Sequence, residues 1–174
     1  MAITANRNPA ALTWNHYARQ QVVNDPNDGT PQDAFTSFNF ALVPNLPAVH
    51  QNGRSRLSDR MSLRITPIAL ARIGAPQTAD LLAHEQLHYD VGFVIARRLA
   101  HELNRLDAAT DAELRNKLNA LIQLHFQTRA RLIQTRYDRE SNHSQNAHYQ
   151  RYWSDKMRAC LADANATQIG GWML

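Results

Sequence analysis

The chain has 174 residues, of which 44% are hydrophobic and 20% are charged, and its formal net charge is +4. These values are ordinary for a soluble globular protein, and the length suits one domain with its own hydrophobic core. A single cysteine excludes an intrachain disulfide framework and a multi-cysteine metal site, so the eight histidines and the carboxylates are the available metal ligands.

The first half of the chain predicts short strands. Residues 35–43, FTSFNFALV, alternate phenylalanine with polar residues at period two, as a half-buried strand does. Two further runs, 11–14 (ALTW) and 61–66 (MSLRIT), have β-type composition, while 14–22 (WNHYARQQV) fits a short helix. Turn-forming residues crowd the segment 24–31, NDPNDGTP, which predicts a loop there.

The second half predicts helices, because no proline follows Pro76 and glycine is scarce. Pro76 and Thr78 suit the first turn and the N-cap of a helix that we expect to run to about Leu106. The segment DAATDAE interrupts the helical pattern. A second helix is expected from about Thr110 to Tyr137, and a third from about Asn142 to Ala162. Four leucines define the predicted buried face of the second helix: Leu114, Leu118, Leu121 and Leu132.

These elements predict a single α+β domain over residues 1–174, strand-rich at 1–76 and helical at 77–174. We expect a small N-terminal β-sheet packed on a long helical hairpin, with a third helix at the C-terminal side. An antiparallel hairpin that turns near Ala108 would bring Thr128–Leu132 opposite His84–His88.

The first predicted helix contains HEQLHYD, which has the H-E-x-x-H pattern of zinc metalloproteases. Positions four apart lie about 40° apart around a helix, so His84 and His88 can present two nitrogens to one ion. Glu85 is rotated by about 100° from His84, which places it beside the ion, where a general base belongs. Asp90 lies on the other side of the helix and is expected to tie it to its neighbours. The same letters also fit two unrelated histidines on an ordinary helix.

A catalytic zinc site needs a third protein ligand. His101 lies thirteen residues after His88, roughly 20 Å along a helix, and cannot share the ion. In the hairpin geometry His125 lies near the histidine pair, although a core histidine with a local partner is the simpler interpretation. His143 follows the second helix, where a reversal of the chain could bring it back over the pair, and Glu140 is a carboxylate candidate.

Two separated motifs resemble one known family. YDRESNHSQNAHYQRYW at 137–153 resembles Y-D-x-E-T-x-H-[GS]-x-N-x-x-x-Q-x-x-W, and LLAHEQLHYDV resembles L-L-x-H-E-Q-x-H-F-D-I. Both patterns are typical of the bacterial domain of unknown function 922, a family predicted to be zinc-dependent proteases. ARRL at 96–99 and, more weakly, LTWNHYA extend the resemblance to roughly residues 11–161. Departures from the pattern remove neither a candidate ligand nor the base; they are Ser141, Tyr89 and Phe93.

The resemblance implies a zincin-like fold and assigns roles to individual residues. It marks His84, Glu85 and His88 as the active helix. It makes His143 the best third zinc ligand, with Glu140 as the alternative. Lower-ranked candidates for orienting a ligand or stabilising a transition state are Tyr137, Asp138 and Ser141. These three residues also fit purely structural roles, as a packed tyrosine and as caps of the helix junction.

The expected function is that of a zinc-dependent metallopeptidase, with Zn²⁺ as cofactor and Glu85 as the general base for a zinc-activated water. The substrate would be a peptide or a protein, and a strand such as 35–43 could pair with it along its edge. The alternative is a non-catalytic, metal-stabilised binding module that uses the same fold.

The sequence predicts neither a membrane nor a nucleic-acid partner. No run approaches 18 apolar residues, and the N-terminus lacks a basic segment followed by an apolar one. The arginines are scattered along the helical half, which favours solvated helix faces over a nucleic-acid groove. We expect a cytoplasmic protein, or a secreted or periplasmic one if a leader is removed. The oligomeric state is left open.

Overall fold

The computed structural model describes residues 3–5, 9–26, 29–43, 48–58 and 61–174. It has a mixed α and β architecture in which most strands precede the helices, as the sequence predicts. The strands are β1 (Thr4–Ala5), β2 (Ala18–Gln20), β3 (Ala34–Val43), β4 (Ala48–Gln51), β5 (Arg54–Leu57), β6 (Ser62–Arg72), β7 (Asp107–Ala108), β8 (Gln168–Ile169) and β9 (Trp172–Met173). The helices are α1 (Ala79–Leu103), α2 (Asp111–Ile122), a π-helical segment (Gln123–Arg129), α3 (Ala130–Ser141) and α4 (Ala147–Ala162).

The main sheet is built around β6, and the two edges of this strand pair with different strands. On one side β3 lies antiparallel over its full length, from Ala34 opposite Ala71 to Val43 opposite Ser62. On the other side β1 and β2 pair in parallel with opposite ends of β6. Within the described ranges β3 is therefore an edge strand.

Two of the three predicted strands are confirmed, and the third is not. β3 confirms the strand predicted at 35–43, and β6 confirms and extends the one predicted at 61–66. The strand and the helix predicted around Trp14 are wrong, because Trp14–His16 forms one 3-10 turn and is followed by β2. All three residues of β2 are exposed, so its conformation comes from pairing with β6 rather than from its own pattern.

Helix α1 carries the histidine pair and packs its buried side on the sheet. Thr78 caps its N-terminus by accepting a hydrogen bond from the Leu81 amide at 3.1 Å, as expected. Gly92 allows the helix to approach β3, since a β-carbon at this position would lie only 2.7 Å from the Phe38 ring. This contact fixes the separation of α1 from the edge strand.

The second predicted helix is a continuous rod from Asp111 to Ser141, made of α2, the π-helical segment and α3. Leu114 and Leu118 are buried as predicted, but Leu132 is 53% exposed. The hydrogen bonds of a π turn join residues five apart and rotate the following residues relative to an uninterrupted α-helix. The buried side of α3 is consequently formed by Ile133 and Tyr137 rather than by Leu132.

The helices do not form the hairpin that the sequence suggests. α1 contacts α3, the π-helical segment and α4, and α3 also contacts α4, so three helical rods pack together. Where the hairpin places Thr128–Leu132 opposite the histidine pair, the structure has Gln134 and Asp138 against His88. The connection from α1 to α2 is not a tight reversal, since it contains β7, which pairs with β5 and displaces the second rod. In the described part of the chain, no helix is long and apolar enough to cross a membrane.

Candidate metal centre

Two turns of α1 place three polar side chains in the protein interior: His84, Glu85 and His88. The helical phase agrees with the prediction, because the Nε2 atoms of His84 and His88 lie 3.2 Å apart. Burying polar groups costs free energy unless a partner or an ion satisfies them. Three such groups within two turns therefore indicate a functional site rather than a layer of the core.

Asp138, on α3, completes a triad with His84 and His88, which we call the ligand triad. Its Oδ1 atom lies 2.8 Å from Nε2 of His88 and 3.1 Å from Nε2 of His84. Ligand atoms that are bound to one tetrahedral zinc ion at about 2.0–2.1 Å lie roughly 3.3 Å from one another. The three observed separations fit that arrangement, and all three atoms point to one place.

The protonation of the ligand triad is controlled by Asp138. Burial would raise the pKa of this carboxyl, but His88 and His84 hold it well below its usual range. Burial would lower the pKa of His88, but the charge of Asp138 and its hydrogen bond raise that pKa to about 8. For His84, burial prevails and lowers the pKa in spite of Asp138. Without a metal, His88 thus holds a proton against Asp138, and a binding cation must displace it.

The side chains behind His84 fix the orientation of its ring. Nδ1 of His84 lies 3.4 Å from Oε1 of Gln150 and 3.5 Å from Oγ of Ser141. The Tyr137 hydroxyl donates to the same Gln150 oxygen at 2.7 Å, and its ring stacks on His84 with centroids 4.5 Å apart. A proton on Nδ1 that faces Gln150 leaves Nε2 of His84 free to bind a metal. Tyr137 thus lies behind a ligand, and its hydroxyl is committed to Gln150.

The ligand triad lies in the wall of a cleft of about 530 Å³ between the start of β3 and the helices. Glu85 lines this cleft, and its Oε2 atom is buried with no hydrogen-bond partner among the described residues. Nδ1 of His88 is likewise buried and unpartnered within the described ranges. Buried polar atoms left without partners beside open space indicate a site that takes a further ligand.

His143 lies at the rim of the cleft. The third helix begins at Ala147 instead of Asn142, because Asn142, His143 and Ser144 all have positive φ and reverse the chain. Backbone strain of this kind persists where the surrounding structure requires it, often at functional sites. Nδ1 of His143 lies 3.8 Å from Oδ1 of Asp138, and its side chain is 43% exposed.

Two overlapping ligand sets are therefore available. His84, Asp138 and His143 can offer three atoms within 4.8 Å of one another. The ligand triad is tighter, with all three separations at 3.2 Å or less. Because the shorter separations match those around a single tetrahedral ion, the triad is the better fit, and His143 faces the same space from the side.

The remaining ligand candidates are engaged elsewhere. Glu140 accepts a hydrogen bond from Nε1 of Trp153 at 2.8 Å and forms an ion pair with Arg136. His125 is fully buried, and its Nε2 atom lies 3.1 Å from Glu102. Its placement fits the interpretation of a core histidine with a local partner.

Asp90 contacts Gln86 of the same helix, and Gln86 makes the contacts to the N-terminal segment. Asp90 accepts a hydrogen bond from Gln86 at 2.7 Å. Gln86 in turn accepts from the Leu12 amide at 2.6 Å and donates to the Ala10 carbonyl at 3.2 Å. Gln86 thus attaches the N-terminal segment to α1, and a direct contact of Asp90 with a neighbouring element stays a prediction.

Two residues beside the histidine pair are less prominent in the sequence than in the structure. The sequence predicts Asp138 as an outer partner of a ligand, whereas its Oδ1 atom lies within 3.1 Å of both histidines, and the sequence assigns no role to Gln150. Both residues are fixed letters of the Tyr137–Trp153 motif. Their spacing in the sequence shows that Asp138 and Gln150 are part of one motif. Only the packing of α1 against α3 and α4 shows which of the two side chains reaches the Nε2 atoms of the histidine pair.

Comparison with known families gives one result. The family model described as "Bacterial protein of unknown function (DUF922)" matches residues 11–144. This range is more than half of the chain and includes the whole ligand triad, Glu85 and His143. Comparison with curated proteins and with solved structures finds no match.

Proposed function

The chain belongs to the DUF922 family of bacterial proteins of unknown function, and we propose that it is a zinc-dependent metallopeptidase. The observation that carries this proposal is the convergence of the ligand triad beside Glu85 in an open cleft. We also propose a zincin-like active site, in which the helix that bears both histidines lies next to an edge strand. The packing of α1 against β3 supports this part.

The metal would be held by His84, His88 and Asp138, each through the atom that already points into the triad. Imidazole and carboxylate ligands suit zinc, and three protein ligands leave a position for reactants. When bound, zinc supplies Lewis acidity, which lowers the pKa of a water molecule and polarises a carbonyl group. His143 is the third ligand that the sequence favours, but in this proposal it would not hold the metal and would face the cleft beside the triad.

Three side chains of the protein would then have separate roles: one transfers the proton, one stabilises negative charge and one orients a ligand. Glu85 takes the proton of the attacking water on its unpartnered Oε2 and delivers it to the leaving amine. His143 donates a hydrogen bond to the developing negative charge on the carbonyl oxygen. Gln150 keeps the Nδ1 proton of His84 in place, so that Nε2 stays directed at the reaction centre.

The substrate would be a peptide in extended conformation. Residues 34–36 at the start of β3 line the cleft, and an edge strand can bind such a chain through its backbone.

Glu85→Gln is the variant that tests the proposal. We expect zinc stoichiometry to be unchanged and hydrolysis of a peptide mixture to fall by about 10²–10⁴-fold, the usual contribution of a general base. Glu113→Gln, which neutralises a half-exposed carboxylate on α2, is the matched control and should retain full activity.

Two results would reject the proposal. If Glu85→Gln hydrolyses peptides as fast as the wild type, Glu85 is not the base. If the wild type binds zinc and cleaves nothing in a broad peptide mixture, the chain is the metal-stabilised binding module that was the alternative.

A further inference from the structure

Among the described residues, strand β3 pairs only with β6, and its other edge pairs with no strand. The Arg72 amide donates to the Asp33 carbonyl at 2.9 Å, so this opposed pair is a hydrogen-bonded one. Opposed pairs alternate along an antiparallel ladder, which makes the pairs of the even-numbered residues of β3 non-bonded. Pro67, which has no N–H, lies opposite Phe38 in agreement with this alternation. The N–H and C=O groups of Thr36, Phe38 and Phe40 therefore point away from β6.

A second, smaller cleft of about 170 Å³ lies farther along β3 and shares one lining residue with the catalytic cleft. Both clefts are lined by Gln134 and by successive parts of β3, residues 34–36 in the first and Ser37, Phe38 and Phe40 in the second. The smaller cleft is adjacent to the π-helical segment, which contributes Phe126.

The floor of the smaller cleft is aromatic. The Phe40 and Phe126 rings stack with centroids 4.1 Å apart and an interplanar angle of 11°. Phe126 is buried, whereas Phe40 keeps 37% of its surface exposed. An exposed aromatic ring held rigidly by a second ring is a surface on which a large apolar side chain can bury area at little entropic cost.

We infer that the stacked pair Phe40–Phe126 is a specificity subsite, which takes a large apolar or aromatic side chain of an extended peptide substrate. The inference rests on the proposed function, because it takes the occupant to be the chain that enters the catalytic cleft. Gln134 lines both clefts, and successive parts of β3 line one and then the other, so one extended chain can reach both; this favours a peptide over a second copy of the protein as the occupant.

The spacing along β3 sets where the preference falls. Thr36 and Phe40 are four residues apart and lie on the same face of the strand. A peptide paired with β3 would place the favoured side chain about 13 Å from the residue opposite Thr36, four positions along. Because Thr36 lines the catalytic cleft and Phe40 does not, we expect the preference at one position, on one side of the cleaved bond and several residues from it.

The first arm of the test is cleavage of a peptide mixture by the zinc-loaded protein, with the products sequenced by mass spectrometry. We expect phenylalanine, tyrosine and leucine to be enriched at one position several residues from the cut. Phe40→Ala should flatten that enrichment by about tenfold, as expected for losing the burial of one aromatic side chain. Leu124→Ala removes a neighbouring apolar side chain that is 39% exposed and lines neither cleft, so it should keep the enrichment.

The second arm measures binding without cleavage. The zinc-loaded Glu85→Gln protein is titrated into a fluorescein-labelled twelve-residue Gly-Ser-Thr peptide with one phenylalanine, or with serine in its place, and anisotropy is recorded. The phenylalanine peptide should bind about tenfold more tightly, and Phe40→Ala should remove the difference.

The two arms separate failure of the subsite from failure of the proposed function. Cleavage without a distant apolar preference, or with a preference that Phe40→Ala retains, overturns the subsite and leaves the peptidase proposal standing. Binding that depends on Phe40 in a protein that never cleaves supports the subsite and rejects the peptidase. No binding and no cleavage reject both. A dimer in sedimentation experiments that Phe40→Ala dissociates, with no peptide bound, would show that a second copy occupies the groove.

Discussion

Two buried histidine–carboxylate clusters join α1 to the second helical rod, and only one of them has the features of a metal site. In the ligand triad, Nε2 of His84 lies 3.1 Å from Asp138, and in the other cluster Nε2 of His125 lies 3.1 Å from Glu102. Both histidines are almost completely shielded from solvent. The pairs share chemistry, distance and burial, so none of these properties distinguishes a metal site from a structural contact.

The clusters differ in the cations that surround the carboxylate. Asp138 faces three imidazoles, those of His84, His88 and His143, among the described residues. Glu102 faces His125 but also two arginines, with Arg98 Nε at 3.2 Å and Arg129 Nη1 at 3.8 Å.

An imidazole can lose its proton and bind a metal, whereas a guanidinium keeps its charge in proteins and only neutralises the carboxylate. The negative charge of Glu102 is therefore already neutralised by two permanently charged arginines. In the Asp138 cluster the carboxylate is neutralised by a proton on His88, which a cation can replace.

Removal of one histidine from each cluster should give the largest contrast. We expect His88→Ala to weaken zinc binding by more than about 100-fold, because it removes a ligand rather than an outer partner. His125→Gln should leave zinc affinity unchanged within a factor of about 3, since only a structural pair is lost. Competition with a chromophoric chelator measures both. Equal losses in the two variants would show that the clusters are not functionally distinct.

The outer partners of the ligand triad should have a smaller effect. Gln150→Leu removes the acceptor that holds Nδ1 of His84 and leaves the Tyr137 hydroxyl without its partner. We expect zinc affinity to fall by about 10–100-fold, as for other outer partners of histidine ligands. Ser141→Ala, which removes a longer contact to the same nitrogen, should cost less. If the serine variant is the weaker binder, the orientation of His84 depends on the hydroxyl instead.

The smallest predicted effect concerns proton binding at His125. Burial lowers the pKa of His125 more than Glu102 raises it, so the folded protein holds this imidazole neutral. The unfolded chain takes up the proton below a pH of about 6.5, so this residue lowers stability as the pH falls through that value.

The slope it contributes is at most about 1.4 kcal/mol per pH unit, the value for one proton. Titration of the imidazole by NMR should give a pKa below 6.5. A pKa above 6.5 would mean that Glu102 keeps the His125 imidazole protonated, as Asp138 does for His88. The two clusters would then be electrostatically alike.

Local sequence patterns predict those features of this molecule that depend on interactions between residues close together in the chain. The phase of His84, Glu85 and His88 follows from helix geometry, and β3 follows from its period-two alternation. The Thr78 cap follows from its side chain. Each of these features depends on residues within a few positions of one another.

Features set by distant parts of the chain are not predicted. β2 has no strand pattern and exists because β6 is beside it. The π-helical segment rotates α3, which exposes Leu132 and turns Tyr137 and Asp138 towards α1. The sequence therefore places Asp138 near the site but cannot rank it above His143, because that order depends on where two helices cross.

The identity of the third ligand is tested by measuring the zinc affinity of the wild type, Asp138→Ala and His143→Ala, with circular dichroism to check that each variant is folded. We expect Asp138→Ala to lose more than about 100-fold in affinity and His143→Ala to stay within a factor of about 5, because only Asp138 belongs to the ligand triad. Retention of zinc by Asp138→Ala together with its loss from His143→Ala would reject the triad as the metal site and make His143 the third ligand.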